Sequence, residues 1–327
     1  MALRRLGCDL GNFGVKVAQD DGTNFTFEAR CEEFDAENYI NAQTVLMYEP
    51  NTYLLNSGEF DNETIKANRS NLRECLVGAL AMASNIKDKD RVLIGVGLPI
   101  IQYAKYKDDF REKLLKNNSV IKCGYGLQGS TIMKTIHIDD IQVFPEGVAA
   151  YWAMADKLLG RKAPMLIIVD IGGRTTDVCT IVRNLDGTTT PCNPDTIPYG
   201  TLKAYELIYK KFNSFSNNKG IPYTFTIEDV EPILYKGQIL DERFDELDKE
   251  GYANLAYDRV AKHIARFVKE SNPDYGKALV VITGGGASRF GTKVQSYFPD
   301  NSVVDGDIYS NAKGYLAALG SDVTTEE

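Results

Sequence analysis

Two aspartates, each ending an apolar strand just ahead of a glycine, are the residues of this sequence best placed to do chemistry. The second lies in Val169-Asp170-Ile171-Gly172-Gly173-Arg174-Thr175-Thr176-Asp177. The run before it, Met165-Leu166-Ile167-Ile168, is short, β-branched and bounded by Pro164 and the glycines, which predicts a buried strand. A second strand pattern, Val178-Cys179-Thr180-Ile181-Val182, follows the turn. Glycine lets a backbone approach an anion closely, so such a hairpin sets N–H groups where a phosphate would sit. Its aspartate is held at the strand end, within reach of Mg²⁺ or a water. The same device occurs as Cys8-Asp9-Leu10-Gly11-Asn12-Phe13-Gly14-Val15-Lys16. One copy alone reads as an ordinary glycine-rich turn. Two copies about half the chain apart predict two similar half-domains clamping one nucleotide.

The elements that must position these groups read in order. Residues 3–30 predict a hairpin and a third strand at Asn24-Phe25-Thr26-Phe27. Residues 31–70 are irregular and polar, with short strands near Val45–Tyr48 and Tyr53–Leu55, and read as a small insertion. A helix is expected over 70–86, with Ser70 as its cap and a stripe of Leu72, Leu76, Val77, Leu80 and Ala83. The strand Arg91–Leu98 ends at Pro99, and a charged helix follows over about 103–116. Gly124-Tyr125-Gly126-Leu127-Gln128-Gly129 matches a dinucleotide fingerprint, but Thr131–Ile138 alternates like a strand where a helix is required, so that reading is rejected. Pro145-Glu146-Gly147 opens a helix from Val148 to about Leu159, ended by Gly160 and Pro164. Further helices are expected near 200–212, 226–236 and 244–271, with Asp241–Glu250 a solvated acidic segment. The last strand, Ala278–Ile282, runs into Thr283-Gly284-Gly285-Gly286-Ala287-Ser288, and a short helix closes the chain.

Composition narrows the function classes. The 327 residues suffice for two domains with full cores. A net charge of −8 argues against a non-specific binder of nucleic acid or anionic membranes. No apolar run approaches the roughly 20 residues that span a bilayer. The first residues enter a strand without a signal-peptide core and Val323–Glu327 is acidic, so a cytoplasmic, unanchored protein is expected. Six scattered cysteines without a Cys-x-x-Cys, and only His137 and His263, predict reduced buried thiols and no zinc or histidine chemistry.

Five segments stand in order: Asp9–Lys16, Pro145–Ala150, Asp170–Asp177, Ile282–Ser288 and Gly306–Tyr315. Together they resemble the phosphate-1, connect-1, phosphate-2, adenosine and connect-2 motifs of the actin, heat-shock chaperone and sugar kinase superfamily. The chain length, Gly97-Leu98-Pro99, Pro145-Glu146-Gly147 and Asp170-Ile171-Gly172-Gly173 look most like ParM-type bacterial actins, which segregate plasmids. The resemblance implies an α/β fold of two actin-like domains, each with a five-stranded mixed sheet flanked by helices, and a nucleotide in the cleft between them. Residues 1–163 with 309–327 would form the first domain, carrying the 31–70 insertion, and 164–308 the second. ATP or ADP, or GTP in its place, would bind with Mg²⁺.

Roles carry over residue by residue. Asp9 and Asp170 would share the Mg²⁺ and its waters. The backbone of Gly11, Asn12 and Phe13, with the Lys16 ammonium, would hold the phosphates. Gly172, Gly173 and Arg174 would present N–H groups to the β- and γ-phosphates. Arg174 stands where the family carries a small or hydroxyl residue, so its side chain either touches the γ-phosphate or points to solvent. Glu146 would orient or deprotonate the attacking water, or else act only as a helix-dipole partner. Gly284, Gly285 and Gly286 would let the backbone pass close to ribose and adenine, and Lys203 and Glu206 would contact ribose and base. The implied function is a filament-forming ATPase whose partners are its own copies and a DNA-binding adaptor on a plasmid, with no direct nucleic-acid or membrane contact. A chaperone-like ATPase would need a substrate-binding domain beyond 327, a small-molecule kinase a sugar-facing acid–base, and a cell-shape actin a membrane anchor. None of these is evident.

Overall fold

A computed structural model describes residues 2–319 apart from 36, 38–41, 62, 117–118, 159–162, 185–187 and 238–240. The expected helix end at Gly160 and the acidic tail at 323–327 lie outside the described residues. The chain divides into two compact units, Met1–Lys162 with Ile308–Glu327, and Ala163–Asp307.

The first unit is built on β1 (Leu3–Leu10), β2 (Gly14–Gln19), β3 (Asn24–Glu28), β4 (Cys31–Glu33), β5 (Thr44–Tyr48), β6 (Asn51–Leu55), β7 (Arg91–Leu98), β8 (Val120–Leu127) and β9 (Lys134–Pro145). These join one nine-stranded sheet in the order β3-β2-β1-β7-β9-β8-β5-β6-β4. Its helices are α1 (Leu72–Met82), α2 (Ile100–Leu115) and α3 (Val148–Leu158). The second unit holds β10 (Met165–Ile171), β11 (Thr176–Arg183), β12 (Thr189–Ile197), α4 (Thr201–Lys219), α5 (Ile227–Tyr235), α6 (Lys249–Ser271), β13 (Leu279–Thr283), α7 (Ala287–Gln295) and β14 (Ser302–Val304). Its sheet runs β12-β11-β10-β13-β14. Finally α8 (Ser310–Ala318) returns to the first unit.

The two sheets share one plan. In each, an antiparallel meander (β3-β2-β1, and β12-β11-β10) is followed by two parallel strands (β7-β9, and β13-β14). The expected five-stranded sheet is therefore found in both units. In the first it is extended by β8, β5, β6 and β4, all antiparallel. The short strands of residues 31–70 hydrogen-bond onto the sheet edge through β8.

Burial explains the strand patterns. Leu166, Ile167, Ile168 and Val169 are all fully buried because both faces of the sheet are covered, so β10 shows no alternation. Helix α6 buries Ala253, Ala256, Tyr257, Val260, Ala261, Ile264, Ala265 and Val268, a stripe at three- and four-residue spacing. Helix α8 sits tightly on the first sheet and on α3: a β-carbon on Gly97 would run into the Tyr315 ring, and one on Gly314 into the Ala149 backbone.

Several local expectations are corrected. Ser70 does not cap α1. Asn71 holds the N-cap position, and the Ser70 N–H and hydroxyl donate to Asp61 at 2.6 and 2.7 Å. The helix after Pro145-Glu146-Gly147 is found where expected, with α3 starting at Val148; Pro145 itself is the last residue of β9, and Gly147 takes positive φ (76°) between the two. Strand β12 was not anticipated, because Pro191 and Pro194 interrupt its pattern. Both prolines are accommodated because β12 is an edge strand. β13 is not the last strand, since β14 pairs parallel beside it. The rejected fingerprint at 124–129 lies in β8 and its following turn, with β9 next, as the alternation required.

Candidate active site

In the first unit, strand pairing brings the charges together. Asp9 sits opposite Lys16 in the β1–β2 ladder, which puts both side chains on one face. The Lys16 ammonium donates to Asp9 Oδ2 at 3.1 Å. A second ammonium, which sequence reasoning missed, arrives from a 3₁₀ turn at Lys66–Asn68. Lys66 Nζ lies 3.6 Å from Asp9 Oδ1 and 2.5 Å from Glu146 Oε1. A relay Lys16–Asp9–Lys66–Glu146 results, in which the Lys66, Asp9 and Glu146 side chains are 7%, 9% and 13% exposed. Glu146 is fixed from below: its own N–H donates to Leu98 O at 2.8 Å, and the next N–H, of Gly147, donates to Asn311 Oδ1 at 3.1 Å.

Burial divides the two carboxyls. It pushes Glu146 above the ordinary carboxylate range, with Asp9 adding to the rise and Lys66 opposing it. Burial also acts to raise Asp9, but Lys16 and Lys66 together outweigh it and hold Asp9 below its ordinary value. Asp9 is thus the fixed anion of the group. Glu146 is the carboxyl held above its ordinary range.

In the second unit, Asp170 is 7% exposed on β10, one residue before the strand ends. It pairs in register with Asp177 on β11 and Thr283 on β13. The residue opposite is therefore a carboxylate, where Asp9 faces a lysine. Asp177 accepts hydrogen bonds from Thr175 Oγ1 (3.2 Å) and Thr196 Oγ1 (2.5 Å). Gly284 has φ 89°, and a β-carbon there would strike the Asp170 carboxylate and the Ile171 backbone; one on Gly285 would meet open space.

The hairpin carbonyls are held one after another. Ile171 O accepts from Gly286 N–H (2.8 Å), Gly172 O from Thr201 N–H (3.1 Å) and Gly173 O from Leu202 N–H (2.8 Å). Two of these donors are the first N–H groups of α4, so the turn satisfies part of that helix start. A trans peptide is planar, with each carbonyl pointing away from the next residue's N–H. Holding these carbonyls on α4 therefore turns the Gly173 and Arg174 N–H groups the other way. Gly172 differs from expectation: its N–H donates to Thr175 O at 2.9 Å and closes the turn. Gly200 allows this approach, because a β-carbon there would meet Gly172 O and Gly173 O.

The remaining residues fall into place around these turns. Gly11, Asn12 and Phe13 form the half-buried tip of the first hairpin, and the Phe13 ring packs on Phe60 at 5.0 Å. Arg174, Lys203 and Glu206 line one shallow cavity of about 230 Å³ with Pro198, Leu202 and Ile227. Glu206 accepts from Lys203 (2.7 Å) and Lys210 (2.6 Å), and those bonds pull its pKa down to about 2.

These groups suit an anion with a hard cation. Among the described residues no three or more His, Cys, Asp or Glu gather into a metal cage. Mg²⁺ is commonly held by one or two carboxylates together with phosphates and waters, and each unit by itself presents one buried aspartate at a glycine turn, Asp9 in the first and Asp170 in the second.

Comparison with known proteins agrees with this reading of the fold. Residues 7–148 match the family model for the N-terminal domain of actin-like proteins. Residues 168–296 match that for the C-terminal domain of archaeal MreB-like actin homologues. No curated protein matches by sequence. Among solved structures, a non-polymerisable quadruple mutant of pCBH ParM is similar with a TM-score of 0.77 at 19% identity, covering 97% of this chain and 99% of that one. The archaeal actin homologue Ta0583 in complex with ADP gives 0.76 at 17% identity, covering 98% and 99%. A 15-stranded ParM filament from Clostridium botulinum gives 0.76 at 18% identity, covering 97% and 98%. The chain belongs to the actin-like superfamily, with the fold of ParM and the archaeal actin homologues.

Proposed function

We propose that this protein is an ATPase whose filaments assemble with ATP and disassemble after hydrolysis, and that it moves plasmid DNA through a DNA-binding adaptor. The observation that carries the reading is the pair of Asp-x-Gly hairpins on matching strands of two matching sheets. An ADP complex and a filament among proteins of the same fold support nucleotide binding and self-association. The DNA-moving role rests on the ParM-type likeness.

In this reading Asp9 and Asp170 hold Mg²⁺ through its waters, and Lys16 faces the phosphates from beside Asp9. The metal supplies charge neutralisation on the phosphates, which is most of what phosphoryl transfer requires. Gly173 and Arg174 offer N–H groups to the β- and γ-phosphates, and Gly11, Asn12 and Phe13 do the same from the first hairpin. Glu146 orients the attacking water and takes its proton, and Lys66 holds Glu146 in place. Lys203 and Glu206 receive ribose and base beside Arg174. Of the three glycines after β13, Gly285 faces open space and leaves the backbone open to that end of the nucleotide, while Gly284 and Gly286 pack against Asp170 and Ile171.

Asp170→Ala tests the assignment. Its Mg²⁺-dependent hydrolysis of ATP should fall to background while circular dichroism and melting stay close to wild type. Unchanged turnover in the folded variant removes Asp170 from the site.

A further inference from the structure

Arg69 is fully buried, at 0% exposure, although it comes from an irregular stretch and carries a charge. Its Nη1 donates to Leu10 O at 2.9 Å and to Gly11 O at 3.0 Å. Its Nη2 reaches Asn71 Oδ1 at 3.4 Å, and the Asn71 amide in turn donates to Ala29 O at 2.9 Å. The Ala29 N–H donates to Phe13 O at 3.0 Å. The carbonyls of Leu10, Gly11 and Phe13 are therefore all drawn to the same support.

The second hairpin makes sense of this. There, the carbonyls of Ile171, Gly172 and Gly173 are held by backbone N–H groups, two of them from the start of α4. In the first hairpin a side chain does that work. A planar trans peptide puts the N–H of Gly11 opposite Leu10 O, and that of Asn12 opposite Gly11 O. Gripping two successive carbonyls therefore aims two successive N–H groups away from Arg69. That is the arrangement of an anion-binding nest.

We infer that Arg69 is a positioning residue for the phosphate-binding turn of the first unit, serving the turn as the α4 N-terminus serves the other. The inference rests on the nucleotide reading above. It assigns to Arg69 an effect on the phosphate-borne part of affinity and none on the nucleoside part. A lysine would keep the charge but not the planar fork, so charge alone does not replace it.

The test is calorimetric titration of Mg-ADP and of adenosine into wild type, Arg69→Lys and Arg69→Met. ADP affinity should fall roughly 10–100-fold in Arg69→Met, by analogy with the loss of outer-shell groups that orient metal ligands. It should fall less in Arg69→Lys, and adenosine affinity should hold in both. If burial keeps Arg69→Met from folding, Arg69→Lys carries the test. Equal losses for ADP and adenosine would overturn the inference, reducing Arg69 to support of the fold. So would unchanged ADP affinity in the folded variants. A wild-type protein that binds neither ligand would overturn the nucleotide reading itself, and the inference with it.

Discussion

Glu146 and Lys66 hold one another where both side chains are largely buried, and in the proposed reaction their balance would set the pH dependence. A carboxyl that takes a proton from water must itself be ionised, and burial holds Glu146 above its ordinary range. Lys66 is the nearest group opposing that rise. Lys66→Met should therefore move the acidic limb of the hydrolysis rate to higher pH. Removing one partner of a buried pair costs about 3 kcal/mol. The sign on stability follows from Glu146. A carboxyl raised in the folded state is stabilising below its unfolded pKa and loses that contribution as pH rises through the folded one. The variant's deficit should thus be larger at neutral than at acidic pH. Rate–pH profiles and denaturant melts at two pH values measure both, and an unmoved acidic limb would separate Lys66 from the chemistry.

At the level of elements, the glycine turns distinguish support from contact. Gly284 is held at positive φ against Asp170, whereas Gly285 faces open space. Gly284→Ala should destabilise the second unit by about 1–3 kcal/mol, the range for a strained backbone conformation. Gly285→Ala should leave the melt within about 0.5 kcal/mol, as for an unstrained surface change. Chemical denaturation of both variants checks the contrast, and equal losses would contradict the geometry. The same turns show what was legible in the sequence. Asp9, Asp170 and the glycines could be read because strand, carboxylate and turn are consecutive in the chain. Lys66 and Arg69 could not. They come from a non-periodic stretch, and only folding brings them beside residues about sixty and eighty positions away. Strand β12 is hidden by its prolines, and the pairing of β5 and β6 onto β8 is not legible because polar linkers separate these short strands from it. The Gly172 N–H reads from sequence as free for a ligand because its partner, Thr175 O, belongs to the turn itself and shows only in the folded hairpin.

For the molecule as a whole, charge and repetition set expectations. With 45 acidic and 37 basic residues, the chain should not hold DNA directly, because duplex binding is driven by neutralising phosphates with lysine and arginine. Purified protein should not shift plasmid DNA at physiological salt, and a tight complex in a gel-shift assay would contradict the adaptor-mediated reading. No helix among the described residues is long and apolar enough to cross a membrane. Two units built on one sheet plan each bring a carboxylate to a glycine turn. A nucleotide engaged by both turns would bias assembly by the difference in its affinity for the assembling and disassembling states.

The central claim joins that chemistry to assembly. It is tested by following light scattering and phosphate release together after adding Mg-ATP to wild type and to Glu146→Ala. Wild-type scattering should rise and then decay as phosphate appears. The variant should scatter as strongly, release phosphate at least 100-fold more slowly, as expected on losing a general base, and keep its filaments after wild-type filaments have gone. Phosphate release at the wild-type rate would remove Glu146 from catalysis, and no scattering by either protein at any concentration would contradict the filament itself.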